Sequence, residues 1–274
     1  MALTTIQREV CRLIAENRVA SGESYVAGAA ALNELLNAPR LSRDVDLFHD
    51  TDEALEASWQ ADQSVLEANG LELQVLRERS FFVEARVSRG DLSLVMQWAR
   101  DSAYRFFPLV QHDDLGLVLH PFDLATNKVL ALIGRLEVRD WVDVVHCDVA
   151  LQPLGYLAWA ACGKDPGFSP NAILQHAARS ARYSAEEVLS LAFEGRPPDP
   201  VVLSETWHRS LRESERIMAL LPPAEAGKCV LAKEGGLFRG DAAALKLAVE
   251  KGALHFHPGS IRGTLPHLVD DTRR

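Results

Sequence analysis

Residues 40–52 read RLSRDVDLFHDTD, with the acids Asp44 and Asp46 one residue apart inside a short apolar stretch. In a strand, alternate residues share a face, so both carboxylates emerge side by side while Val45 and Leu47 turn to the core. Like charges that close repel, and a divalent cation between them reverses the balance; hard carboxylate oxygens suit Mg²⁺. A D-x-D triplet is short enough to arise by chance, and Asp50 and Asp52 form a second one at once. The surroundings must therefore decide between a metal site and ordinary acidic solvation.

The elements that would position these acids can be read from periodicity. Ile6, Val10, Leu13 and Ile14 recur at helical spacing and predict a helix over 5–18. Tyr25–Ala27 make a short strand, Gly28 permits a tight turn, and Ala29–Leu36 are strong helix formers. Asn37, Pro39 and Arg40 end that helix and lead into a strand over Asp44–Phe48. A helix near 52–69 closes at Asn69-Gly70, and LELQVLRE, FFVEARVS and DLSLVMQW read as strands, with LVLH at 117–120 adding a short one. From Pro121 the pattern turns helical: PFDLATNKVLALIGR, RDWVDVVHCDVAL and YLAWAAC, then helices at 170–182 and 184–193, the rigid break GRPPDP, and helices near 201–221 and 241–251. The expectation is an α+β protein, with a mixed-sheet core in residues 1–120 and a mostly helical lobe in 121–274.

The chain as a whole sets further bounds. Its 274 residues are 47% hydrophobic and 24% charged, an ordinary globular composition. The first residues, MALTTIQREVCRLIAENRV, carry charges at helical spacing instead of an uninterrupted apolar run, and no stretch reaches 18 apolar residues. A soluble, cytoplasmic protein with no membrane partner is expected. Cys11, Cys147, Cys162 and Cys229 form no C-x-x-C pair, and His255 with His257, or His146 beside Cys147, lack the second ligand cluster that zinc requires. Residues 151–274 hold 15 Lys+Arg against 14 Asp+Glu, whereas residues 1–150 hold 14 against 24. So acidic a first half argues against broad, sequence-independent binding to nucleic acid. In the second half Arg179, Arg182, Arg209, Arg212 and Arg216 are candidate contacts to an anionic acceptor. Arg209, Arg212 and Arg216 share a helix face, but Glu205, Glu213 and Glu215 dilute it toward a solvated surface.

A strand, a Gly turn, a helix and a second strand bearing D-x-D form a phosphate-handling arrangement: amides at the helix N-terminus receive an anion while neighbouring carboxylates hold its Mg²⁺. This order, VAGAAALNELLNAPRLSRDVDLF, resembles the nucleotidyltransferase superfamily related to DNA polymerase β, and most of all its AbiEii/AbiGii toxin-type branch. The later stretch DLATNKVLALIGRLEVRDWVDV, with Lys128 and then Arg139, Asp140, Trp141 and Asp143, extends the resemblance to about half the chain. It implies an NTP as substrate, Mg²⁺ on Asp44 and Asp46, and Gly28 letting the backbone approach the phosphates. It further implies Ser42 and Arg43 beside the triphosphate, Lys128 neutralising it as pyrophosphate leaves, and Asp140 within the site, with Asp143 a weaker candidate on the same face. By the same resemblance the acceptor is an RNA, first of all a tRNA 3′ end, and an antitoxin protein is the expected partner.

The chain also departs from the pattern. Ala29 and Ala30 stand where relatives place Gly and Ser/Thr, and Gln97 falls where polymerase-like enzymes need a third carboxylate to accept a proton. Asp140 could substitute, Asp101 or Glu84 could approach from the sheet, or catalysis could be weakened or lost. Lys128, flanked by Val129, Leu130 and Leu132, also fits the solvated edge of a core helix. Nucleotidyl transfer to a small molecule such as an aminoglycoside, or to a protein hydroxyl, is the alternative reaction.

Overall fold

A computed structural model describes residues 3–179 and 183–266. In chain order the elements are α1 (Thr5–Ser21), β1 (Ser24–Ala27), α2 (Gly28–Leu35), β2 (Asp44–His49), α3 (Asp52–Ala68), β3 (Glu72–Arg79), β4 (Phe82–Arg89), β5 (Leu92–Arg100), β6 (Tyr104–Arg105), β7 (Val110–His112) and β8 (Gly116–Val118). They continue with α4 (Pro121–Arg135), α5 (Val138–Ala150), α6 (Leu154–Ala161), α7 (Pro170–Arg179), α8 (Ala185–Leu189), α9 (Pro200–Leu220), β9 (Lys228–Ala232), α10 (Ala242–Glu250), β10 (Leu254–Pro258) and β11 (Ser260–Ile261). The chain divides into two compact units, the first made of Met1–Ala103, Leu109–Leu124 and Ala192–Pro197, the second of Tyr104–Pro108, Ala125–Leu191 and Pro198–Arg274.

The first unit is built on a seven-stranded mixed sheet in the order β3-β4-β5-β2-β1-β8-β7. β2 lies at its centre, antiparallel to β1 and parallel to β5. Strict alternation in DVDLFH sends Val45, Leu47 and His49 to the buried side and leaves Asp44, Asp46 and Phe48 half-exposed. Helices α1 and α3 cover the buried side, where Val10, Ile14, Leu55 and Leu66 join Val45, Leu47, Met96 and Trp98 in the core. Each such side chain contributes about 1.5–3 kcal/mol through its burial. α1 opens with a capping box at Thr4 and Gln7, runs to Ser21, three residues beyond the end expected from apolar spacing, and is capped by Gly22 in the left-handed conformation. Beneath the sheet Asp62 accepts hydrogen bonds from Trp98 Nε1 at 3.0 Å and Asn17 Nδ2 at 2.9 Å. β7 was not expected: its three residues, paired antiparallel with β8, are too few for alternation to register.

The chain between α2 and β2 is held from outside its own neighbourhood. Leu41 N–H donates to Ala192 O at 2.9 Å, and Glu194 N–H donates to Pro39 O at 2.7 Å. Arg40 forms a bridge with Phe193, and Asn33 Nδ2 donates to Arg40 O at 2.8 Å. This stitching, made by a segment about 150 residues later, fixes where β2 begins.

The second unit is mostly helical, with two short antiparallel pairings that apolar spacing did not announce, β9 with β10 and β6 with β11. α6 is buried along its whole length, and Gln152 Nε2 donates to Val230 O on β9 and to Phe238 O beyond it, tying the approach of α6 to that segment. α8 is shorter than the expected 184–193, because the chain leaves helix after Leu189 and residues 192–197 belong to the first unit. α7 ends its described course at Arg179, and the expected continuation to 182, with Arg182, lies outside the described residues. Among the described residues no helix is long and apolar enough to cross a membrane.

Candidate active site

The β1–α2 junction shapes the first cluster. Gly28 has φ of 65°, a left-handed conformation that L side chains seldom adopt, and it opens α2 directly after Ala27. Ala27 faces Asp46 across the β1–β2 ladder. A β-carbon on Gly28 would overlap Asp46 Oδ2 and stand 2.7 Å from its Cγ. Glycine is thus required twice here, by backbone conformation and by the carboxylate resting on it. The N-cap residue Ala27 makes no side-chain capping hydrogen bond, so the first turn of α2 has no capping oxygen of its own.

Asp44 shares this half-exposed face, two residues before Asp46. Ser42 Oγ donates to Asp44 Oδ1 at 2.8 Å, and Gln7 Nε2 holds Ser42 O at 2.9 Å. Ser42 is buried with its hydroxyl turned to Asp44, whereas Arg43 is exposed. Two carboxylates on one face fit Mg²⁺, which commonly takes one or two protein carboxylates and completes its shell with substrate phosphates and water. Among the described residues no group of three or more His, Cys, Asp and Glu is placed to hold a metal, so phosphate oxygens would be needed to complete such a shell.

A row of side chains runs across the sheet from Asp46. Asp46 pairs in register with Gln97 on β5, Gln97 with Glu84 on β4, and Glu84 with Arg77 on β3. Gln97 Nε2 donates to Glu84 Oε2 at 2.8 Å, and Arg77 grips Glu84 through Nε at 3.1 Å and Nη2 at 2.9 Å. Glu84 therefore stands in the row, but with its oxygens committed to Arg77 and Gln97. Gln97 occupies the position beside Asp46.

The second cluster belongs to the second unit. Lys128 on α4 is buried, with Nζ 3.0 Å from Asp140 Oδ1 and 3.3 Å from Asp143 Oδ2 on α5. Arg135, at the end of α4, adds a fork to Asp140, Nε to Oδ2 at 2.6 Å and Nη2 to Oδ1 at 2.9 Å. Burial alone would raise the Asp140 pKa, but the Arg135 hydrogen bond and the Lys128 and Arg135 charges outweigh it and hold the carboxyl below its ordinary range. The solvated-edge alternative for Lys128 is thereby displaced: the ammonium is enclosed and doubly paired. Asp140 and Asp143 sit three apart on one face of α5, so both reach the same lysine. Adjacent Arg139 cannot face Asp140, and the partner supplied instead is Arg135. Its part was not foreseen, although a basic residue in the last turn of α4 was visible in the sequence.

Of the expected site residues, Gly28, Ser42, Asp44 and Asp46 gather in the first unit, while Lys128 and Asp140 gather in the second. Arg209, Arg212 and Arg216 are exposed on α9, with Arg216 Nη1 3.4 Å from Glu213.

The sequence matches no family model and no curated protein. Solved structures are similar at low identity. One, from H. pylori and provisionally assigned as a nucleotidyltransferase, is 15% identical with a TM-score of 0.50, covering 79% of this chain and 97% of that one. JHP933 from Helicobacter pylori is 15% identical (TM-score 0.48, 77% and 91%), and MenT4, a nucleotidyltransferase toxin from Mycobacterium tuberculosis H37Rv, is 16% identical (TM-score 0.47, 75% and 80%). The fold is the polymerase β-like α+β nucleotidyltransferase fold, a mixed sheet backed by helices and followed by further helices.

Proposed function

We propose that the protein is a nucleotidyltransferase that moves a nucleoside monophosphate from an NTP to an acceptor hydroxyl. The observation that carries this reading is the closure of Asp46 onto Gly28, at the N-terminus of α2 and on the same face as Asp44. α2 offers backbone amides to phosphate oxygens, and the glycine removes the side chain that would keep them apart. Asp44 and Asp46 would hold Mg²⁺, with Ser42 fixing the rotamer of Asp44. When bound, the divalent ion offsets the charge that grows at the phosphorus under attack and keeps attacking and leaving oxygens aligned. Arg43 is placed in this reading as an exposed contact to the triphosphate. Lys128 is assigned the neutralising of phosphate charge by the sequence resemblance alone; its ammonium pairs with Asp140 and Asp143.

For the acceptor we propose an RNA, first of all a tRNA 3′ end, with the protein acting in the cytoplasm as a toxin under the control of an antitoxin. The resemblance of the two sequence blocks supports this. Gln97 beside Asp46 supports a second reading, a nucleotide-binding protein with weakened transfer, since an amide cannot accept the proton of the attacking hydroxyl. Incubation with each α-labelled NTP and Mg²⁺, together with total RNA, an aminoglycoside panel or no acceptor, separates the possibilities. Label on RNA is the expected result. Label on drug or on protein moves the acceptor class, and NTP binding without transfer selects the second reading.

A further inference from the structure

We infer that Gln97 is a positioning residue of the cation site, offering its amide oxygen beside Asp46 in place of a third carboxylate, with Glu84 and Arg77 fixing the amide's orientation. This rests on the proposed function. A carboxylate can only accept, so the hydrogen bond to Glu84 requires the NH₂ end of the Gln97 amide on the β4 side. That leaves Oε1 on the side of β2, where Asp46 is the register partner. Glu84 is held in turn by the two-pronged Arg77 contact, so its charge is answered at the far end of the row. The site thus carries the charge of two aspartates, and the third position is neutral. A cation there is gripped less tightly in the absence of nucleotide, which ties its residence to the triphosphate.

Mn²⁺ titration by calorimetry, with and without a non-hydrolysable NTP, tests this without relying on turnover. Gln97→Glu adds a carboxylate next to Asp46 and should tighten Mn²⁺ binding without nucleotide by about tenfold. Gln97→Leu and Glu84→Ala should each weaken Mn²⁺ binding in the presence of nucleotide by a similar factor, and the double variant should lose no more than either single one. Melting temperatures identify any variant that fails to fold, and Gln97→Glu, which keeps the size of the side chain, carries the test in that event. If Gln97→Glu leaves Mn²⁺ affinity as in the parent while Asp46→Ala abolishes binding, Gln97 has no part in the site and the proposed function stands. If Asp46→Ala binds Mn²⁺ as the parent does, the proposed function fails, and this inference with it.

Discussion

The carboxylate of Asp46 occupies the space that a side chain at residue 28 would need, so the glycine and the acid are one unit of structure. Gly28→Ala should therefore displace Asp46 as well as strain the backbone. Gly22 has a similar φ, 69°, with nothing within 4 Å of an added β-carbon. Gly22→Ala should cost about 1 kcal/mol of stability from conformation alone and leave nucleotide binding unchanged. Gly28→Ala should cost more and abolish NTP binding, as calorimetry and chemical denaturation will show.

Asp46→Ala should abolish nucleotidyl transfer while the protein keeps its melting temperature to within a few degrees. The side chain is half-exposed and contributes little to the core. A variant that turns over at the parent rate would remove Asp46 from the chemistry.

Lys128→Met should be severe for a different reason. It leaves Asp143 buried without this ammonium and removes one of the two cations around Asp140, for a cost of roughly 3–5 kcal/mol. Adding Asp143→Asn should recover part of that stability without restoring activity. Urea titrations of the single and double variants measure the recovery, and equal midpoints would mean that the pair is not coupled.

Acid should act through His49. Burial lowers its pKa to about 4, with the Arg18 charge acting in the same direction and the hydrogen bond to Ala99 O opposing both. The unfolded chain binds the proton near the ordinary value of about 6.5. Stability should fall as pH drops from about 6.5 toward 4, by about 3 kcal/mol if His49 acts alone. Buried Asp62 works in the other direction, since burial raises its pKa and stability from that group is lost as pH rises through its folded value. Comparing the pH dependence of unfolding in the parent and in His49→Phe isolates the histidine: between about pH 6.5 and 4 the parent should lose about 3 kcal/mol relative to the variant, and outside that window the two curves should run parallel.

Lowered by its cations, Asp140 should add a separate loss of stability at more acidic pH. That contribution is present above the ordinary carboxyl value and disappears as pH falls through the lower folded one. Asp140→Asn should flatten the acid limb of the curve below about pH 4.

Strands β1–β5 and α1–α5 were legible because alternation and helical spacing each run long enough in them to declare a period, and Gly28 was legible because a turn had to fall between Val26 and Leu32. What stayed hidden depends on distant residues. The hold of residues 192–194 on the entry to β2 leaves no local trace, and the β9–β10 ladder joins strands separated by a whole helix. The side chains at 84 and 97 could be placed on strands, but register alone brought them into line with Asp46. Likewise Arg135 reads as a helix-terminal cation until the turn between α4 and α5 folds it back on Asp140.

β2 is laddered on both flanks in the middle of seven strands. Its amides should rank among the slowest to exchange with deuterated water, opening only when the sheet as a whole comes apart. Under the proposed function, local loosening of this strand is then no route to admitting a nucleotide, and any adjustment must come from the side chains it carries or from segments outside it.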